Sequence, residues 1–126
     1  MAESTARNYD VNARSTDVFG RVLCNTRNHH FVIDGPVQNG CPGEEVTPAE
    51  MFLAGVASCG VELIQGIARD QQIPLSGVKV NIAGMMDRAN PVRRDLMVFN
   101  QVRLKFQFAG ITLAQGTDLV ERFKGR

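Results

Sequence analysis

Thr47-Pro48-Ala49-Glu50-Met51-Phe52-Leu53-Ala54-Gly55-Val56-Ala57-Ser58-Cys59 opens the segment on which the fold turns. Thr47 is a good N-cap, Pro48 suits the first helical position, and Glu50, three residues after Thr47, completes a capping box. The helix so begun is expected to run to about Asp70. Met51, Phe52, Leu53, Val56, Val61, Leu63, Ile64 and Ile67 place apolar side chains nearly all round it. Only a narrow polar stripe, Ser58, Glu62, Gln65 and Arg69, recurs at steps of four, three and four. A helix apolar over that much of its circumference is buried on most sides. One copy of a chain of 126 residues has little surface with which to cover it, so burial between two copies is the expected remedy.

On the N-terminal side of this helix, Asp34 to Val46 is a Gly- and Pro-rich loop, long for a connection in so small a chain and of a length that is often functional. Before it, Asp17 to Cys24 and Phe31 to Ile33 read as two strands joined by turn residues Asn25 to Asn28, a hairpin. Residues 1–16 are a polar N-terminal arm with a short strand near Tyr9 to Ala13. After the helix, Val78, Val80 and Ile82 alternate with Lys79 and Asn81, a half-buried strand. Gly84 to Arg94 reads as a loop. Val98, Val102, Leu104, Phe106 and Phe108 then share a face opposite Gln101, Arg103, Lys105 and Gln107. A last helix is expected from Thr112 or Leu113 to Lys124, weakened in its first half by Gly116 and closed by Gly125. The fold class is therefore α+β: antiparallel strands around a long buried central helix, in one domain over 17–126.

Composition sets the function classes aside or leaves them open. Hydrophobic residues make up 44% and charged residues 21%, a globular balance with no sign of a disordered resting state. The formal net charge of +1 provides no strong field toward nucleic acid or an anionic membrane, so neither is an expected partner. The start, Met1-Ala2-Glu3-Ser4-Thr5-Ala6-Arg7, has no apolar run of the secretory type, and Glu62 and Gln65 interrupt the longest apolar region. A cytoplasmic location is the default expectation. Cys24, Cys41 and Cys59 are odd in number and lack C-x-x-C spacing, which argues against a disulfide framework or a zinc site. His29 and His30 on a strand face opposite ways, so no metal is expected, and no cofactor motif is present.

The residues also carry a resemblance. Phe31-Val32-Ile33-Asp34-Gly35-Pro36, then Asn39-Gly40-Cys41-Pro42-Gly43, then the Thr47 to Cys59 segment, with Glu50 and Cys59 nine residues apart, resemble the signature of the OsmC/Ohr family. Gln72 to Val80 and Leu119 to Lys124 look like that family's later strand and last helix, and the similarity covers roughly residues 18–126. The resemblance implies an OsmC-like fold, an intertwined homodimer with two buried helices at its centre, and thiol-dependent reduction of organic hydroperoxides in oxidative-stress defence. Cys59 would attack the peroxide and become a sulfenic acid. A small apolar hydroperoxide is the expected substrate and an external dithiol a possible reductant. Two features depart from the family's pattern. Its second cysteine follows the last helix, about where this sequence stops at Arg126, and its loop arginine is replaced at the matching position by Asn39. Arg27, Arg93 and Arg94 are candidate substitutes, and nothing in the sequence selects one. The alternative is a non-catalytic dimer of the same fold that binds a small apolar ligand.

Each candidate has a plainer reading beside it. Peroxide reduction needs a thiolate, and a free thiol is only a few per cent ionised at neutral pH, so a cationic neighbour is a requirement of the mechanism. Cys59 is either that nucleophile or a packed helix cysteine. Glu50 is either a catalytic carboxylate or simply half of the capping box. Nine helical residues are about 900° of rotation and about 13.5 Å of rise. On one straight helix Glu50 and Cys59 therefore point to opposite sides, and a shared site would take Glu50 from a partner chain or use it to orient an arginine. Cys41 is either a possible resolving thiol or an ordinary loop cysteine, and Cys24 reads as core.

Overall fold

The computed structural model describes residues 5–95 and 98–125, so residues 1–4 of the expected arm and Arg126 lie outside it. The elements, in order, are β1 Asn12–Ser15, β2 Arg21–Thr26, β3 His29–Asp34, a 3-10 turn Val37–Asn39, α1 Pro48–Asp70, β4 Gly77–Met85, β5 Gln101–Ala109 and α2 Leu113–Lys124. They fall into two compact units, Met1–Met51 and Phe52–Arg126.

The first unit is a three-stranded antiparallel sheet in the order β1-β2-β3. The β2–β3 hairpin turns on Arg27 and Asn28, with Thr26 opposite His29, so every pair across it is set by that two-residue turn and Arg21 falls opposite Asp34. Arg27 adopts φ 51° to make the turn. β2 starts at Arg21, later than the expected Asp17. The reason is local: Gly20 sits at φ +82°, and Thr16 Oγ1 accepts from the Val18 amide at 3.2 Å and donates to the Arg21 carbonyl at 2.9 Å. Those bonds hold residues 16–20 in a turn. The strand expected near Tyr9 to Ala13 lies at Asn12–Ser15, paired with Val22 to Asn25. Cys24 is buried at the centre of this sheet, as its strand position suggested, between Ala13 and Phe31.

In the second unit β4 and β5 pair antiparallel along their whole length, Gly77 with Ala109 through Met85 with Gln101. A lone two-stranded sheet is marginal in water. Here Ile64, Ile67 and Ala68 of α1 and Leu119 of α2 form a buried cluster, with Val78, Phe106, Phe108, Ile111 and Phe123 packed on it. Of the face read in β5, Leu104, Phe106 and Phe108 are half-buried, whereas Val102 is exposed and Val98 lies before the strand, which starts at Gln101; the other face stays wet. β4 continues to Met85, beyond the expected Ile82, because Gly84 lets the Phe99 ring lie on the strand: a Cβ there would come within 2.7 Å of that ring. α2 begins at a capping box, Thr112 with Gln115, and ends at Gly125. Gly116, an apparent weakness, is buried, and an added Cβ would meet the Phe108 ring at 3.0 Å.

α1 spans the predicted residues, but its burial in a single chain is one-sided. Gly60, Ile64, Ile67 and Ala68 are buried, whereas Phe52 is 60% and Val56 37% exposed. The polar stripe Ser58, Glu62, Gln65 and Arg69 is exposed as well. By length and composition this is the one helix among the described residues apolar enough to cross a membrane, and most of it is uncovered in a single chain.

Candidate active site

Cys59 lies at mid-helix on the uncovered side of α1. Gly60, the next residue, turns inward to the rings of Phe106 and Phe123, which sends Cys59 outward. It shares the outer face with Phe52 and Val56 at helical steps of four and three. A Cβ added at Gly55 or Gly66 would meet nothing within 4 Å, so this face is open along its length. The thiol is thus exposed on an apolar surface, the setting in which an apolar substrate and a sulfur nucleophile meet.

Glu50 forms the capping box that its spacing predicted. The Thr47 amide and hydroxyl both donate to Glu50 Oε1, at 3.0 and 2.8 Å, and the Glu50 amide approaches Thr47 Oγ1 at 3.4 Å. These donors hold the Glu50 carboxyl below its ordinary pKa. The carboxylate is exposed, with one oxygen engaged by Thr47.

Cys41 sits where the long loop folds back on the strands. Its amide donates to Pro36 O at 3.3 Å, and its thiol faces Asn39 O at 3.8 Å. Gly20 and Gly35 make room for it: a Cβ on either would run into the Cys41 sulfur. All three cysteines carry free thiols.

The strongest electrostatic feature of the first unit was not read from the sequence. Asp34 is the one charged side chain among the described residues that is fully buried. Arg21 grips it as a fork, Nε to Oδ1 at 2.8 Å and Nη2 to Oδ2 at 2.9 Å, and the amides of Glu44 and Glu45 each donate to Oδ2 at 3.0 Å. Arg21, then the two amides, hold the Asp34 carboxyl far below the carboxylate range despite its burial, and Asp34 holds the Arg21 guanidinium correspondingly high. The Glu44-Glu45 pair is exposed as expected, but its backbone is structural. Of the arginines proposed as substitutes, Arg27 occupies the hairpin turn and Arg93 is forked onto Asp95, Nη2 to Oδ2 at 2.6 Å. Hairpin counting was the available signal: a turn at Arg27-Asn28 places Arg21 across from Asp34.

Residues 41–125 match the family described as OsmC-like protein. The chain belongs to that family. Solved structures agree with this OsmC-like assignment at the level of fold. An OsmC like protein from Mycoplasma pneumoniae superposes with a TM-score of 0.79 at 15% identity, covering 95% of this chain and 82% of that one. An organic hydroperoxide resistance protein OsmC from Legionella pneumophila, described as a predicted redox protein and regulator of sulfide bond formation, gives 0.74 at 21% identity, covering 95% and 84%. An organic hydroperoxide resistance protein from Elizabethkingia anophelis, with crystallant-derived thiocyanate bound, gives 0.77 at 16% identity, covering 96% and 84%. A search of curated proteins found no match. The α+β class, with two small antiparallel sheets and a long helix, thus matches an OsmC-like fold.

Proposed function

We propose that this OsmC-like chain is a cytoplasmic homodimer that reduces small apolar hydroperoxides at Cys59. The observation that carries the reading is the position of Cys59: an exposed thiol midway along an apolar helix face that also presents Phe52 and Val56. Such a face gains from being covered, and a second copy is the cover that this fold family's signature implies. The Cys59 thiolate attacks the distal peroxide oxygen, the O–O bond breaks, the sulfur becomes a sulfenic acid, and the alkoxide takes a proton and leaves as an alcohol. Glu50 of the partner chain serves as the accessory carboxylate and orients the arginine that the Cys59 thiolate requires. The sulfenic acid condenses with one thiol of an external dithiol, releasing water, and the second thiol then frees Cys59 as a new disulfide forms. A Cys41 thiol in the resolving role would instead form a protein disulfide. Three free thiols suit a reducing compartment.

The test is consumption of cumene hydroperoxide by the purified chain with dithiothreitol. Cys59→Ser is expected to abolish turnover, and Cys41→Ser to leave it intact if the external dithiol resolves the sulfenic acid. Equal rates for the wild type and Cys59→Ser rule the reading out. A second reading, a non-catalytic binder of an apolar ligand, is favoured by an open groove of about 570 Å³ lined by Phe106, Phe108, Ile111, Leu113 and Val120. That reading requires Cys59→Ser to retain full ligand binding.

A further inference from the structure

Asp34 is tied to the residues that lead into α1, and the ties have no gap. Asp34 Oδ2 accepts from the amides of Glu44 and Glu45, and the Asp34 amide donates to Val46 O at 3.1 Å. The next residue, Thr47, holds Glu50 Oε1 through both its amide and its hydroxyl. Residues 44, 45 and 46 therefore hang on Asp34, residue 47 holds Glu50, and only Pro48 and Ala49, already helical, intervene.

A helix cap by itself does not require this. α2 builds the same box from Thr112 and a neutral glutamine, with Thr112 N to Gln115 Oε1 at 3.0 Å and Gln115 N to Thr112 Oγ1 at 3.2 Å. At α1 the residue in that role is a carboxylate, the threonine hydroxyl points into it, and a buried, arginine-forked carboxylate anchors the strand behind it. Burying a charge is costly unless it is paired and hydrogen-bonded on all sides, as Asp34 is.

We propose that Asp34, gripped by Arg21, is a positioning residue for the Glu50 carboxylate. It acts through residues 44–47 and touches no substrate. With Oε1 occupied by Thr47, the plane of the Glu50 carboxylate is set and Oε2 is left to meet its partner in the reacting site. This inference rests on the role given to Glu50 above.

The experiment uses the full chain with Asp34→Asn, Glu50→Gln, their double variant, Thr47→Ala and Thr47→Ser. It reads kcat/KM for cumene hydroperoxide, hydrogen exchange at the Thr47 amide, and the urea midpoint. Asp34→Asn and Glu50→Gln are each expected to lower kcat/KM by about a hundredfold, the scale of a mispositioned catalytic group. The double variant should fall no further than Glu50→Gln, and Thr47→Ser should restore what Thr47→Ala loses. Multiplying effects in the double variant, or a lowered urea midpoint with kcat/KM unchanged, would overturn the proposal. Arg21→Lys, which keeps the charge and loses the fork, carries the same comparison if Asp34→Asn does not fold. A wild type that consumes no hydroperoxide defeats the functional reading alone. In that case faster Thr47 exchange in Asp34→Asn supports the clamp, and unchanged exchange overturns it.

Discussion

Asp34 keeps its charge inside the first unit because four donors converge on it: two from Arg21 and the amides of Glu44 and Glu45. Its folded-state pKa is depressed, so the unfolded chain binds the proton more readily. The stabilisation from its ionised form is therefore fully present above about pH 5, about one unit over the ordinary carboxylate value, and is lost progressively as pH falls through and below that value. Urea unfolding of the wild type is expected to show midpoints that decline from pH 5 to pH 3. Asp34→Asn, which has no proton to gain, should show a shallower decline. An identical slope in the two would mean that Asp34 is not the linked group. Arg21 and Asp34 were legible only in combination. Neither residue is unusual where it stands, and the pairing appears when the register of the Arg27-Asn28 hairpin is counted out to both strand ends. Cys24, by contrast, was readable as core from its own strand.

Among the elements, the loop between β3 and α1 shows how a segment rich in glycine and proline becomes fixed. Val37–Asn39 forms a 3-10 turn, Gly35 N bonds Gly20 O at 2.8 Å, and Cys41 fills the space between Gly20 and Gly35. Gly35→Ala is expected to destabilise the fold by about 1–3 kcal/mol through overpacking against Cys41. Cys41→Gly should recover much of that loss in the double variant, since the sulfur and its Cβ are the atoms that collide. The same partner should not rescue Gly20→Ala, because Gly20 also sits at φ +82°, a conformation that a Cβ strains. Urea midpoints of the five proteins, wild type included, decide it: rescue of both glycine variants, or of neither, contradicts this account. The helices were more legible than the loop. The Thr47-Glu50 capping box was read from its spacing, since such caps are local chemistry between residues three apart, whereas the Thr112-Gln115 box of α2 came from the structure.

For the whole molecule the outstanding feature is the outer face of α1. Phe52, Val56 and Cys59 form an uncovered line on a helix that is otherwise anchored by Ile64, Ile67 and Ala68. The homodimer proposed above makes this line an interface. Val56→Glu, which places a charge in the middle of it without touching the buried cluster, is expected to shift sedimentation from dimer to monomer at micromolar concentration. The variant should also lose hydroperoxide turnover, because the proposed site takes Glu50 from the partner. A wild type that sediments as a monomer, or a Val56→Glu variant that remains dimeric, would remove the second copy from the mechanism.

Local order was written in the chain: the caps, the alternation of β5, the near-continuous apolar circumference of α1 and the nine-residue interval from Glu50 to Cys59 depend on neighbours within a few turns or one strand. Which side of α1 is covered, which glycines make room for Cys41, and that a buried Asp34 stands behind the Thr47 cap depend on residues 6 to some 60 positions apart, such as Gly35 with Cys41, Arg21 with Asp34 and Gly60 with Phe123. A periodic pattern states that a face is apolar, but only packing in three dimensions selects what it meets, because burial and charge pairing are properties of the assembled neighbours and not of the residue that carries them.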